Sequence, residues 1–285
     1  MRQGAAVVAA VLMLVDGASA GTVAYGPPQR AGVISSRALA EVSGLVASRS
    51  LRGGWWAVND SGNPPLLHAV DARGRLVASL QVGGATNRDW EDLAAGPGPG
   101  GRFLYIGDIG DNDRVRDDLV VYRVREPALA HGRNVRARAF PFRYPDGRFD
   151  AEALLVDPVS GHIYLITKGA RARVYRFPLP LRPGRRVVLE RVRGNGASQI
   201  AALELTTGAA ISPDGSRIAL RNYWVAYELR RGRGRPFESR FTTITQVNLR
   251  PEPQGEAISY TRDGGALVTT SEQPPAPIWR YPRRN

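Results

Sequence analysis

Short runs of apolar residues, mostly alternating with polar ones, fill the chain from Gly32 to Tyr281, and clusters of Gly, Pro and Asp separate them. Alternation with a period of two over such short runs predicts half-buried β-strands rather than helices. The runs fall into groups. The first predicts strands at 43–47, 55–58, 67–70 and 76–82, with the turn Asp71-Ala-Arg-Gly between the last two. The second predicts 91–95, 103–106, 119–124 and 136–142, and the third 153–156, 162–167, 173–177 and 187–192. The fourth gives 209–212, 218–220, 224–229 and 241–249, with a turn at Pro213-Asp-Gly-Ser. The fifth holds only three runs, 257–260, 266–269 and 278–281, while Gly32-Val-Ile-Ser stands alone before the first group.

One phrase opens every group: Glu41-Val-Ser-Gly-Leu-Val, Asp89-Trp-Glu-Asp-Leu-Ala, Asp150-Ala-Glu-Ala-Leu-Leu, Thr207-Gly-Ala-Ala-Ile-Ser and Gln254-Gly-Glu-Ala-Ile-Ser. A repeat of 47 to 61 residues containing four strands predicts an all-β fold, a β-propeller of five four-stranded blades. The orphan N-terminal strand is expected to close the last blade and leave no open edge at the seam. Six blades are the alternative, with a degenerate strand pair hidden in 197–205. Third strands carry a matching aromatic (Tyr122, Tyr175, Tyr227 and Trp279) between apolar neighbours, which reads as packing between sheets.

Ahead of the repeats, Arg2, an apolar run from Ala5 to Val15 and Ala18-Ser19-Ala20 form the three regions of a secretory signal peptide. The expected division is a signal peptide at 1–20 and a single propeller domain at 21–285, secreted or extracytoplasmic and monomeric. The apolar run is too short to cross a bilayer, and no later stretch is long and apolar enough, so no membrane span is expected after cleavage. With no cysteine in the chain, disulfides, thiolate metal sites and cysteine nucleophiles are excluded. A net charge of +13 raises the question of nucleic acid. The basic residues are scattered arginines with Lys168 as the single lysine, and their local clusters sit among Gly and Pro without interleaved aromatics. These read as hairpin tips, and no dedicated nucleic-acid binding is expected.

In a propeller, equivalent positions of every blade converge on one central channel. Alignment of the five phrases places Ser43, Glu91, Glu152, Ala209 and Glu256 together, with Asp89 and Asp150 just upstream. A carboxylate entering a buried strand is costly unless it is paired or holds a cation, so Glu91, Glu152 and Glu256 are the candidate catalytic groups. If these glutamates do not face a cavity, they should accept backbone N–H bonds and tie blades together. The ends of the second strands are polar too, and Asn59, Asp60, Lys168, Arg221, Asn222 and Glu272 are the candidate ligand-binding residues. Lys168 and Arg221 occupy matching places in blades three and four on this alignment. The densest phrase, Gly107-Asp-Ile-Gly-Asp-Asn-Asp, offers hard oxygen donors suited to calcium. Its alternative reading is an Asx-type turn. Asp89, Glu91, Asp108, Asp111, Asp150 and Glu152, with Asp60 beside them, are the candidate metal ligands, and calcium is the expected cofactor. No nucleophile elbow, phosphate loop or dinucleotide fingerprint is present.

Ser43-Gly-Leu, Val58-Asn-Asp-Ser-Gly, Asp89-Trp-Glu-Asp-Leu and Ser271-Glu resemble the phrases of two groups of exported bacterial propellers, the esterase-like/phytase-like and the SdiA-regulated families. The resemblance implies the propeller fold. Phytase-like chemistry would further require clustered calcium ions that bind phosphate and activate water, with Asp89, Glu91, Asp108, Asp150, Glu152 and Glu256 at the matching acidic positions.

Three functions follow as expectations. The first is a ligand-binding propeller with calcium at a carboxylate-lined channel, its partner a small molecule or a glycan. The second is a calcium-dependent hydrolase of phosphoesters or other anionic esters, with Lys168 or Arg221 orienting the anion. The third is a glycan-active hydrolase that uses the channel glutamates as acid and base, with Trp55, Trp56 and Trp90 as candidate sugar-stacking residues.

Overall fold

A strand that lines the axis of a ring of sheets must bury both faces, whereas an outermost strand buries one. The burial of this chain grades in that way from the inside outward. The computed structural model describes residues 25–129, 134–232 and 235–284; the signal peptide read at 1–20 lies outside them. Strand β1 (Gln29–Ile34) precedes the first group. Blade one comprises β2 (Val42–Ala47), β3 (Trp55–Asn59), β4 (Leu66–Val70) and β5 (Leu76–Gly83). Blade two holds β6 (Trp90–Gly98), β7 (Gly101–Asp108), β8 (Val120–Arg125) and β9 (Asn134–Arg143). Blade three has β10 (Ala151–Val156), β11 (Ile163–Thr167) and β12 (Val174–Arg176), followed by the short β13 (Val187–Val188) and β14 (Glu190–Arg191). Blade four holds β15 (Gly208–Ile211), β16 (Arg217–Arg221), β17 (Val225–Arg230) and β18 (Thr243–Asn248), and blade five β19 (Gly255–Tyr260), β20 (Ala266–Ser271) and β21 (Ala276–Pro282). Every residue of β10, β11, β19 and β20 is buried, while the outer β9 alternates along most of its length.

The seam closes as the orphan strand predicts. β1 runs antiparallel to β21 from Gln29↔Arg280 to Ile34↔Ala276, so the fifth sheet has the order β1-β21-β20-β19. The inner strands neighbour one another in the cycle β2, β6, β10, β15, β19 and back to β2. Five hydrophobic clusters lie between the sheets, one at each junction. Period-two alternation generates them. In β11, Ile163 and Leu165 face blade two while Tyr164 and Ile166 face blade four. In β3, Trp56 and Val58 face blade two while Trp55 and Ala57 face blade five. Each fully buried Leu or Ile in these junctions stabilises by roughly 1.5–3 kcal/mol. The third-strand aromatics pack where predicted, Tyr122 and Tyr175 buried in the cores and Tyr227 and Trp279 against them.

Two segments depart from the sequence reading. Residues 197–205 do not hide a strand pair: Asn195–Ala201 is a helix, α1, whose Ile200 packs with Phe237 and Phe241 under blades three and four. The predicted strand at 187–192 is split. β14 completes blade three beside β12, whereas β13 runs parallel to the end of β9 in blade two. The start of β9 in turn pairs in parallel with β5, from Gln81↔Asn134 to Gly83↔Arg136. The outer edge of blade two is therefore covered at both ends, which protects it from pairing with another chain. Part of the arginine surplus is structural: Arg217, Arg221 and Arg231 are buried and pair with Glu228, Glu252 and Asp157.

Candidate functional site

The start of each inner strand and the end of its antiparallel partner lie at the same mouth of the channel, and the register there explains which side chains reach it. In blade two, Trp90 pairs with Asp108 and Asp92 with Gly107, leaving Glu91 without a partner. Ser43 is skipped in the same way between Val42 and Gly44, Glu152 between Ala151 and Ala153, and Glu256 between Gly255 and Ala257. A β-bulge re-aims its extra residue, and four of the five inner strands use one to turn a side chain at the mouth. Blade four is the exception. Gly208 pairs with Arg221 and Ala209 with Leu220 without interruption. Ala209 is therefore the counterpart of Leu154 and not of Glu152, a two-residue correction to the aligned phrases.

Residues from blades one, two, three and five meet at this mouth. Asp60, Asp89 and Glu91 form one group whose carboxylate oxygens lie within 4.8 Å of one another, and Glu91, Asp150 and Glu152 form a second. Glu256 and Glu272 complete the wall, and Lys168 is the cation among them. Lys168 Nζ donates to Glu152 Oε1 and, at 3.2 Å, to Tyr223 Oη. Glu152 and Glu256 are 3% and 7% exposed, and each has an Oε2 without a hydrogen-bond partner. Close approach also explains a glycine. A Cβ on Gly110 would collide with the carboxylates of Glu91 and Asp89, so only glycine lets this loop close over them.

So many carboxyl groups against one ammonium shift the acids upward. Burial holds Glu91 well above the usual carboxylate range, reinforced by Glu152, Asp60, Asp89 and Glu256. Burial also lifts Glu256 to about 9, with Glu272 and Glu152 adding to it, and Glu272 to about 7, with Asp60 adding to it. Glu152 reaches about 7: burial raises it, Lys168 opposes, and Asp150 and Asp60 reinforce the rise. Asp89 rises to about 6 through burial and the charge of Asp60. Burial disfavours the Lys168 ammonium, but the charge and hydrogen bond of Glu152 outweigh it and raise the group. Such a cluster is stable either protonated or around a cation.

The other sequence candidates are placed elsewhere. Asp108 is spent on Arg116 Nη2 at 2.7 Å and on the backbone N–H groups of Arg88 and Asp89. Asp111 accepts from the backbone N–H groups of Val115 and Arg116, four and five residues on, and so braces its own loop, by longer-range bonds than those of an Asx-type turn. Arg221 is the counterpart of Ile166, two positions before Lys168, and is wholly buried, 2.9 Å from Glu252. It orients nothing at the mouth. Asn59 donates to Ala38 O at 2.9 Å, and Asn222 accepts from Trp224 N and Val225 N, so both shape loops. Trp55, Trp56 and Trp90 are buried in the blade junctions and cannot stack on a sugar. Tyr223 was missed; the signal was an aromatic just past the second strand of the blade whose inner strand has no bulge.

Asp92 was missed as well, and it does what the glutamates do not. Its Oδ1 accepts from Leu93 N at 2.7 Å and its Oδ2 from Leu154 N at 2.8 Å. Two neighbouring inner strands, β6 and β10, are thus tied by one buried carboxylate. Burial raises Asp92 to about 7 against the pull of those N–H groups. The opposite mouth is lined by inner-strand ends with Arg49, Arg102 and Arg262, so the channel is acidic at one end and basic at the other.

No family model matches the sequence, and neither does any curated protein. Solved structures do match. Mala s 1, the major allergen of Malassezia sympodialis, is 10% identical with a TM-score of 0.56, over 89% of this chain and 95% of that one. Glutaminyl cyclase from Myxococcus xanthus is 13% identical with a TM-score of 0.53, over 90% and 97%. The PQQ-bound aldose sugar dehydrogenase of Streptomyces coelicolor is 9% identical with a TM-score of 0.52, over 92% and 99%. At such identities the likeness is one of fold alone, and it establishes this chain as a β-propeller.

Proposed function

We propose that this protein is an exported propeller that binds calcium at its acidic mouth and holds a ligand there. The observation that carries the reading is the pair of three-carboxylate groups sharing Glu91, opposed by one lysine and edged by a buried, unpartnered oxygen of Glu152. The donor set fits. Oxygens within 4.8 Å of one another can all reach a single ion at calcium's bond length of about 2.3–2.6 Å. All donors are oxygen, which suits a hard cation over zinc. Asp60, Asp89, Asp150 and Glu152 would hold the metal around Glu91. Bound there, calcium would neutralise the mouth and present open coordination positions to hydroxyl or carboxylate groups of a ligand. The resemblance to the esterase-like/phytase-like and SdiA-regulated propellers belongs to this proposal. Titration calorimetry of the mature protein with calcium should show binding that Glu91→Gln abolishes, because both groups lose a shared ligand. Heat unchanged in that variant would overturn the reading.

A hydrolytic role is the second reading, and Glu256 favours it. A carboxyl that stays protonated up to about 9 is a ready general acid at neutral pH. Glu152 stands across from it as the candidate base. The withdrawal of Arg221 leaves Lys168 alone to receive an anionic group, which disfavours anionic esters relative to neutral substrates. A substrate found by screening should lose turnover by about 100-fold or more in Glu256→Gln; turnover insensitive to that change would reject the assignment.

A further inference from the structure

The turn between β16 and β17 belongs to the blade without a bulge, and it carries two aromatic rings, Tyr223 at the mouth and Trp224 beside it. Trp224 is 65% exposed, an unusual state for the largest apolar side chain. Its position is built. Asn222 Oδ1 accepts from Trp224 N and Val225 N, both at 3.0 Å, and the indole packs edge-on to Tyr223 with centroids 5.8 Å apart. Tyr223 is fixed in turn by Lys168, which donates to its hydroxyl from 5.5 Å off the ring centroid. Beside the indole runs a groove of about 710 Å³ walled by Leu249, Pro251 and Pro253. Tyr223 and Gln254 line both this groove and the acidic mouth, so the two adjoin at these residues.

We infer that Trp224 is the stacking platform for a neutral sugar ring whose hydroxyls enter the carboxylate mouth. The inference rests on the reading of that mouth as a calcium-dependent ligand site, and it names the ligand class. A pyranose has an apolar C–H face that suits an indole, and hydroxyl edges that donate to carboxylates and fill calcium's open positions. Glu41, Glu256 and Glu272 at the same rim repel an anion. An organic cation would need an aromatic cage, and Lys168, bonded to the Tyr223 hydroxyl, puts a like charge beside the two rings.

The test uses tryptophan fluorescence with calcium present. Trp55, Trp56 and Trp90 are buried and Trp279 is half-buried, so the acrylamide quenching of Trp224 is read as the difference between the wild type and Trp224→Phe. Neutral gluco-, xylo-, manno- and galacto-oligosaccharides are the probes, because a protein of net charge +13 retains acidic polymers without specificity. At least one backbone class should shield Trp224, and Trp224→Ala should weaken its binding by about tenfold or more while calorimetric calcium binding stays as in the wild type. Failure of every neutral class to shield Trp224 overturns the inference, as does undiminished binding in Trp224→Ala, or shielding by choline in place of sugars. The two readings fail separately. Wild-type protein that binds no calcium defeats the calcium site. Calcium binding without sugar protection defeats the platform alone.

Discussion

Replacing Asp92 with alanine is expected to destabilise the protein more than any change at the mouth. The substitution strands the backbone N–H groups of Leu93 and Leu154 at the centre of the ring, where no side chain replaces the acceptor. An orphaned buried donor costs about 1–3 kcal/mol, so the two imply a loss of about 4 kcal/mol and a fall in Tm of about 10 °C. Asp92→Asn should be nearly as damaging, since its amide N–H₂ must face one of the donors. Thermal unfolding followed by circular dichroism measures the effect. A loss below about 1 kcal/mol in Asp92→Ala would mean that the blades do not depend on this tie.

The second large effect is a stability that falls as pH rises when calcium is chelated. The sign follows from the direction of the shifts. Asp92 rises from 3.8 to about 7, Glu152 from 4.5 to about 7, and Glu256 from 4.5 to about 9. Each group binds its proton more tightly in the folded protein than in the unfolded chain. Its contribution is therefore fully present below the unfolded value of about 4 and is lost as pH climbs through the folded one. Within its window each buried group costs up to about 1.4 kcal/mol per pH unit. The window spans roughly pH 4 to 9, with most of the loss complete by 7 except for that of Glu256. Calcium should flatten or reverse the slope, because metal binding displaces those protons and favours the ionised carboxylates. Melting temperatures at pH 5, 6, 7 and 8, with chelator or with excess calcium, separate the cases. Chelated protein that is more stable at pH 8 than at pH 5 would contradict the electrostatic account.

The strands were legible because alternation is imposed by the sheets themselves: residues such as Tyr164 and Leu165 must face different blades, and only an apolar pair satisfies both. The seam was legible from a missing strand at one end and a spare one at the other. The mouth was legible in outline, since Glu91, Glu152 and Glu256 do converge there. What escaped was register. Without a bulge in blade four the aligned phrases are two residues out, so Ala209 is the counterpart of Leu154 and Arg221 that of Ile166, a buried position between blades. Asp92, a single residue after Glu91, ties backbones while its neighbour faces the cavity. Tryptophans posed the opposite difficulty. Trp56 and Trp224 look alike in sequence, and only the packing of sheets against one another says which is covered.

The joint between β1 and β21 gives the acidic mouth a history as well as a shape. During synthesis residues 29–34 emerge long before their partners 276–282, so the fifth blade cannot be complete until those later residues are made. Glu256 and Glu272 ride on that blade. Until it docks, Glu91 and Glu152 face water, where their charges are cheaply hydrated; the crowding of like charges sets in with the docking event. On the calcium reading, the ion would then act as a clasp on a nearly finished ring. The concentration of free calcium would govern how often the last blade stands open and how readily a protease finds it.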